Sequence, residues 1–344
     1  MTDTGTLAPA PSTGDEGTPA PPGTRRRVDV RSGTELGALL LLIVIFSVLN
    51  KDTFPKMGNL RTILDQASTP LIIGVGATLV ILLGCIDLSV EGLMSVCGLA
   101  FVLMSANSRG PGDGGAWAIV GGLGLGALLG LANGLVHTLL KVPSFIVTLG
   151  MGFVAFGLAT ILFGDKQLPF LRSTSLTSWP VHRLLGLPYS FWLAFAFVVV
   201  GALVGRYTRV GRYTYAIGDN ELIARDNGVA VNRYKIVIFT IAGACSGMAG
   251  ILVTMELGSA PARIGIGTLF LTIAAVVIGG TSLGGGKGGI LRTAVGVLLL
   301  TVLNNGLILS GVSPNIQSAV SGGILIIAIV AAAAPNRGRL RIVK

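Results

Sequence analysis

From Leu36 onward the chain is a succession of apolar runs, most of them about 20 residues long, parted by short polar turns. At 1.5 Å of rise per residue, that is the length an α-helix needs to cross the hydrocarbon core of a bilayer. Only 12% of the residues are charged and 51% are hydrophobic, against roughly 25% charged in soluble domains. A polar shell around 344 residues cannot be built from that supply. The 51 glycines sit inside the apolar runs, where they let membrane helices approach closely. The expected fold class is therefore all-α, a polytopic transmembrane bundle.

Ten spans are expected, near 35–50, 60–83, 88–106, 116–136, 143–163, 188–205, 235–256, 268–281, 289–309 and 315–334. The run at 268–281 is short and suits a half-helix. Residues 1–33 are rich in Pro, Thr, Gly and Ala without periodicity and read as a disordered tail. Residues 34–335 form the transmembrane domain, with a long polar loop at 206–235, and 336–344 form a second, basic tail. The cluster Arg25, Arg26, Arg27 and Arg31 precedes the first run as in a signal peptide, but no small-residue cleavage pattern follows. That first span is expected to stay.

The net charge of +10 does not point to nucleic acid, because the basic residues lie between the apolar runs and at the two ends. Of the 25 Lys and Arg, 17 fall on the amino-terminal side of the expected membrane and 8 on the other. This bias places both termini and the 206–235 loop in the cytoplasm. Trp117, Trp179 and Trp192 then all reach the outer interface. Cys85, Cys97 and Cys245 show no metal-ligand spacing and read as packing residues; no disulfide or metal site is expected.

Within the spans, Gly122, Gly126, Gly130 and Gly134 recur every four residues and make one bare stripe on a helix. Gly243 and Gly247 form a shorter one. Asp87, in GCIDLSVEG, sits where a helix is expected to start and reads as its N-cap. Glu91 follows four residues on, on the same face. As an alternative to simple capping, the two carboxylates, with Ser89 between them, line or gate a pathway, and one of them carries a proton. Asn133, Asn304 and Asn305 tie helices together or offer a polar lining to a hydroxyl-rich solute. His137 is expected at an interface and His182 in an outer loop, neither with partners for a metal or a nucleophilic triad. No inverted repeat with interrupted helices is legible.

The segment TSLGGGKGG at 281–289 mimics a phosphate-binding loop, but Thr281 stands where the first Gly belongs and Gly288 where Ser or Thr must follow the Lys. It reads as a tight turn. No other stretch offers an ATP-binding fold. In the polar loop, Asp219 or Asn220 can cap a short helix, Glu221 suits its first turn, and Gly228 can end it in a left-handed conformation. Between them Leu222, Ile223 and Ala224, then Arg225, make an apolar knob with a charged rim, the kind of surface a partner's groove accepts. Asn232 is expected to cap the next span.

Four blocks in order carry a resemblance: GATLVILLGCIDLSVEGLMS (76–95), NGLVHTLLKVPSFIVTLG (133–150), the polar loop, and AAVVIGGTSLGGGKGGILRTAVGVLLLTVLNNGLILSGVS (274–313). Over roughly residues 35–334 the chain resembles the ribose/xylose-type permeases of bacterial ABC importers. It departs from them at Cys85 and Glu91, where the family usually has Gly, and at Glu221-Leu222-Ile223-Ala224-Arg225, where it usually has Glu-Glu-Ala-Ala-Arg. The resemblance implies a multi-pass protein of the bacterial plasma membrane. It implies a second permease copy, or a paralogue, completing the pathway. It also implies a cytoplasmic ATPase docked on residues 219–228 and an extracytoplasmic binding protein delivering a sugar. No cofactor is expected on this chain, ATP and Mg being the partner ATPase's. A proton-coupled secondary transporter using Asp87 and Glu91 is the alternative from another class; nucleosides or polyols are alternative solutes.

Overall fold

The computed structural model describes residues 31–110, 112–313, 315–317, 319–320, 322–323 and 326. The apolar runs fold as α1 (Arg31–Leu49), α2 (Met57–Leu82), α3 (Val90–Met104), α4 (Ala116–Leu139) and α5 (Ser144–Phe163). A short α6 (Thr174–Ser178) and a two-residue hairpin, β1 (Arg183–Leu184) with β2 (Leu187–Pro188), lead to α7 (Tyr189–Tyr207). Then follow α8 (Arg209–Asp219), α9 (Glu221–Asp226), α10 (Val231–Leu257), α11 (Thr268–Ile278) and α12 (Ile290–Leu309). Among the described residues, α2, α4, α5, α7, α10 and α12 are long and apolar enough to cross a membrane, while α1, α3 and α11 are shorter apolar helices. Most of the expected tenth span, and the expected tails but for Arg31–Gly33, lie outside the described residues.

The bundle has two ends. At the hairpin end, residue 107 bridges to 171 and 170 to 259, and the Arg61 guanidinium donates to the Gly186 carbonyl at 2.7 Å. All three tryptophans lie at this end: Trp117 is 76% exposed, Trp179 packs edge-on against Tyr189, and the Trp192 indole donates to Leu184. At the opposite end, which α8 and α9 form, the Gly286 amide donates to the Leu82 carbonyl at 3.0 Å, closing the turn after α11 against the end of α2.

The structure corrects the expectation that there is no repeat. α2 (26 residues) is followed by an irregular stretch, the 15-residue α3 and the long α4; α10 (27 residues) is followed by an irregular stretch, the 11-residue α11 and the long α12. α2 runs from the hairpin end to the α8–α9 end, and α10 runs the other way. The two sets interlock, α10 packing on α3 and α4 while α2 packs on α11 and α12. At 1.5 Å per residue α3 and α11 cover only ~22 and ~16 Å of a ~30 Å core, so each of these segments is part helix and part irregular chain. The expected full span at 88–106 is such a broken segment.

The glycine stripe faces α10. A Cβ on Gly126 would stand 2.5 Å from the Gly243 carbonyl oxygen and 3.0 Å from the Gly247 Cα. One on Gly130 would overlap the Phe239 carbonyl, one on Gly134 the Ile236 Cα at 2.7 Å, and one on Gly122 the Ile251 side chain at 2.9 Å. α4 and α10 thus touch backbone to backbone, a contact that lipid chains cannot match.

Candidate functional site

The polar loop folds as two helices. The Thr208 hydroxyl accepts from the Gly211 amide and starts α8, a helix the sequence did not suggest. Asn220 caps α9, its Oδ1 accepting from the Ile223 amide at 3.1 Å, while Asp219 is the last residue of α8. Gly228, at φ +79°, ends α9 as the Gly228 amide donates to Arg225 and that of Val229 to Ala224. The short helix is therefore 221–226 within the expected 219–228. α10 starts at Val231 with Ala230 at the cap, so Asn232 lies in its first turn and is not the cap.

One face of α9 is anchored and the other is bare. Ala224 is buried; Leu222 is 72% exposed and Ile223 59%. Glu221 bonds Arg225 at 3.0 Å and the largely buried Lys235 of α10 at 2.8 Å. Burial pushes the Glu221 carboxyl up, but the hydrogen bond and charge of Lys235, with Arg225 beside it, outweigh that and hold it below the ordinary carboxylate value. α8 is anchored by the glycine-rich turn that mimics a phosphate loop. A Cβ on Gly218 would collide with the Leu82 carbonyl and stand 2.6 Å from the Gly286 amide nitrogen, and the Tyr215 hydroxyl donates to the Gly288 carbonyl at 3.1 Å. Gly285 and Gly286 both take positive φ to make that fit. The turn is a seat for α8.

The second cluster lies where the helices break. α3 begins at Val90, so Asp87 precedes it in extended chain and is not its N-cap. Asp87 Oδ1 instead accepts from the Ser89 amide at 2.8 Å and the Ser89 hydroxyl at 2.6 Å, and the Asn133 amide donates to that hydroxyl at 2.9 Å. Asp87 Oδ2 and Asn133 Oδ1 are buried without a hydrogen-bond partner. The extended backbone is satisfied by α5, the Ile86 amide donating to the Ser144 hydroxyl and that of Leu88 to Thr148. Ser144 and Thr148 were not singled out from sequence; their spacing of four, which puts both hydroxyls on one helix face, is the signal.

Glu91 reaches across to the other break. Its Oε1 accepts from the amides of Gly267 at 2.9 Å and Leu269 at 3.2 Å, satisfying the open N-terminus of α11. Asp87 and Glu91 therefore do not sit one turn apart on a common helix, and their carboxylates engage different groups. That leaves the proton-coupled alternative without its pair.

Beside Gly267 opens a cavity of about 620 Å³ between α2, α11 and α12, with Gln317 and Gly322 also in its wall. Its wall includes Gln66 and Pro70 of α2, Thr268 and Phe270 of α11, and Thr301 and Asn304 of α12. Of the polar residues expected on a pathway, Asp87, Ser89 and Asn133 come together at the first break, Glu91 joins the second, and Asn304 faces the cavity. Asn305 is buried in α12, its Oδ1 without a partner. Gln66, Thr268 and Thr301 were missed. Only Gln66 carried a signal, standing four residues before a proline inside an apolar helix. His137 is half-buried; its Nδ1 meets the Val142 carbonyl at 2.7 Å and so carries the proton, which turns Nε2 toward the Cys85 thiol 3.8 Å away as an acceptor. Among the described residues no group of three or more His, Cys, Asp or Glu is placed to hold a metal ion.

Residues 59–329 match the family described as "Branched-chain amino acid transport system / permease component". The ribose import permease protein RbsC of Escherichia coli (strain K12) is 37% identical over 296 residues, covering 85% of this chain and 91% of that protein. RbsC of Bacillus subtilis (strain 168) is 37% identical over 294 residues, covering 85% and 89%. The D-allose transport system permease protein AlsC of Escherichia coli (strain K12) is 32% identical over 291 residues, covering 85% and 88%.

Proposed function

The chain belongs to the branched-chain amino acid transport system / permease component family, a membrane permease of the bacterial inner membrane, and from that premise we propose that it is the membrane-spanning subunit of an ABC importer for a monosaccharide. Relatives named for ribose and D-allose support the solute class. The observation that carries the mechanism is α9: a two-residue apolar knob, Leu222 and Ile223, held out from the bundle on a helix tied down behind it. An exposed apolar pair framed by Glu221 and Arg225 suits the groove of a separate ATPase, which supplies ATP and Mg while this chain binds neither.

Both termini and α9 then lie in the cytoplasm. The hairpin end receives a binding protein, and a second copy or a paralogue completes the pathway. Closure of the ATPase pushes α9. The Glu221–Lys235 bond passes the displacement to α10, and the seat of Gly218 on Leu82 and Gly286 passes it to α2. These are the two long helices that run into the two breaks, so one push reaches both halves of the repeat. Glu91, bonded across the breaks, sits where the halves meet.

The test is uptake of radiolabelled D-ribose by cells carrying the whole transporter, with cross-linking from Leu222→Cys to the ATPase. Leu222→Asp with Ile223→Asp is expected to abolish both uptake and cross-linking while membrane insertion is unchanged. Normal uptake in that double variant would sink the docking role.

A further inference from the structure

The cavity between α2, α11 and α12 has a chemistry of its own. Its volume, about 620 Å³, is that of a small-molecule pocket, ordinarily some 300–1,000 Å³. Its wall mixes the apolar side chains of Ile266, Leu271, Ala274 and Ile308 with the amides and hydroxyls of Gln66, Thr268, Thr301, Asn304 and Gln317, and no lining side chain among the described residues is charged. Phe270, 61% exposed, contributes an aromatic surface to the same wall. Pro70, which has no amide hydrogen to give the Gln66 carbonyl four residues back, interrupts the ladder of α2 beside it. Glu91, the carboxylate bonded to the cavity's Gly267, is turned to the amides of Gly267 and Leu269.

We infer that this cavity is a transit site for an uncharged, polyhydroxylated solute, with Gln66, Thr301 and Asn304 meeting its hydroxyls and Phe270 its C–H face. A zwitterionic amino acid would bring an ammonium and a carboxylate into a space that offers no counter-charge, a costly transfer at membrane depth. A lipid chain would have no use for five polar side chains. A sugar needs this mixture, since each hydroxyl both donates and accepts and so do amides and hydroxyls in the wall. The inference deepens the importer reading and rests on it for the direction of transit.

The full chain in lipid nanodiscs provides the test. Cys85, Cys97 and Cys245 are all buried, so a Thr268→Cys variant gives one reactive thiol in the cavity wall. Its modification by a methanethiosulfonate reagent is timed with D-ribose, D-allose, ribitol or L-leucine at hundreds of millimolar. At least one of the polyols is expected to slow modification about threefold, the protection given by a ligand at twice its Kd, and L-leucine to leave it unchanged. Modification that no polyol slows, or that L-leucine slows equally, would overturn the site. In cells with the whole transporter, Gln66→Leu and Asn304→Leu are expected to lower D-ribose uptake at least tenfold with the Leu222→Cys cross-link to the ATPase intact. Wild-type uptake in both with the cross-link intact would remove the cavity and leave the importer reading standing. Absence of the cross-link in otherwise wild-type protein would remove the docking reading, while protection of Cys at 268, read without any partner, still judges the cavity.

Discussion

Gly126→Ala, set against Gly124→Ala two residues away on the same helix, measures what the seam between α4 and α10 contributes. A Cβ on Gly126 would lie 2.5 Å from the Gly243 carbonyl oxygen and 3.0 Å from the Gly247 Cα, whereas one on Gly124 meets nothing within 4 Å. Ordinary carbon contacts lie near 3.5–4.0 Å, so α10 must retreat by roughly 1 Å. A gap of that size forfeits a quarter to a half of each dispersion contact it opens, and the loss runs along the seam to Gly122 and Gly130. Overpacking of this kind costs about 1–3 kcal/mol. Alanine at Gly124 removes only a helix glycine, a gain of roughly 0.5–1 kcal/mol. Both variants remove a helix glycine, so that gain cancels between them, and Gly126→Ala should lie ~1–3 kcal/mol below Gly124→Ala, read by reversible unfolding in mixed micelles of rising SDS content. Gly126→Ala as stable as Gly124→Ala would refute the backbone contact.

Three further outcomes follow from the same geometry. Glu91→Leu removes the charged acceptor of the Gly267 and Leu269 amides, so hydrogen exchange at 267–270 should quicken, and unchanged exchange would show that Glu91 does not hold α11. Glu221 titrates below the ordinary carboxylate value, so its tie to Lys235 is present above roughly pH 4.3, the unfolded value, and is lost only as pH falls below it. A spin label at Ile223→Cys should therefore keep constant mobility from neutral pH down to that point and loosen beneath it. Added Glu221→Gln should loosen it already at neutral pH; identical traces would dismiss the tie. Gly218→Ala drives a methyl into the Leu82 carbonyl, and D-ribose uptake should fall with the chain still inserted; full uptake would mean α8 does not need that seat.

Runs of apolar residues about 20 long were enough to predict a helical membrane bundle, because hydrophobic length is local. The capped knob at Asn220–Gly228 was legible for the same reason: a cap, an apolar pair and a terminal glycine are neighbours in sequence. What failed was whatever depends on two distant segments meeting. Asp87 reads as a cap only if α3 starts at residue 88, and it starts at Val90 because Ser144 and Thr148 on α5 satisfy the extended chain before it. Glu91 reads as Asp87's partner until α11 arrives from 176 residues away. The repeat escaped notice because its two halves share helix lengths and breaks rather than residues.

Those halves, alike in plan, differ in how one pair of helices in each meets. α4 meets α10 through glycine on bare backbone, a seam that can open only by losing its contacts along its whole length. In the other half α2 meets α12 through side chains. A Cβ on Gly74 would stand 3.2 Å from a Thr293 methyl and 3.7 Å from Val297, and the hydroxyls of Thr78 and Thr293 bond at 2.7 Å. Side chains hold helices further apart than glycine does and can rearrange by changing rotamer. Pro70 interrupts the hydrogen-bond ladder of α2 on the same side. α11 and α12 themselves touch backbone to backbone, a Cβ on Gly296 or Gly279 running into the Ala275 or Arg292 carbonyl, so of the contacts around the polar cavity it is the one between α2 and α12 that side chains set. In the proposed importer α10 would take the thrust of α9 through Lys235, and α2 that of α8 through Leu82. A single displacement at the exposed knob would there load both long helices together, which is the condition for it to change the shape of the space between α2, α11 and α12.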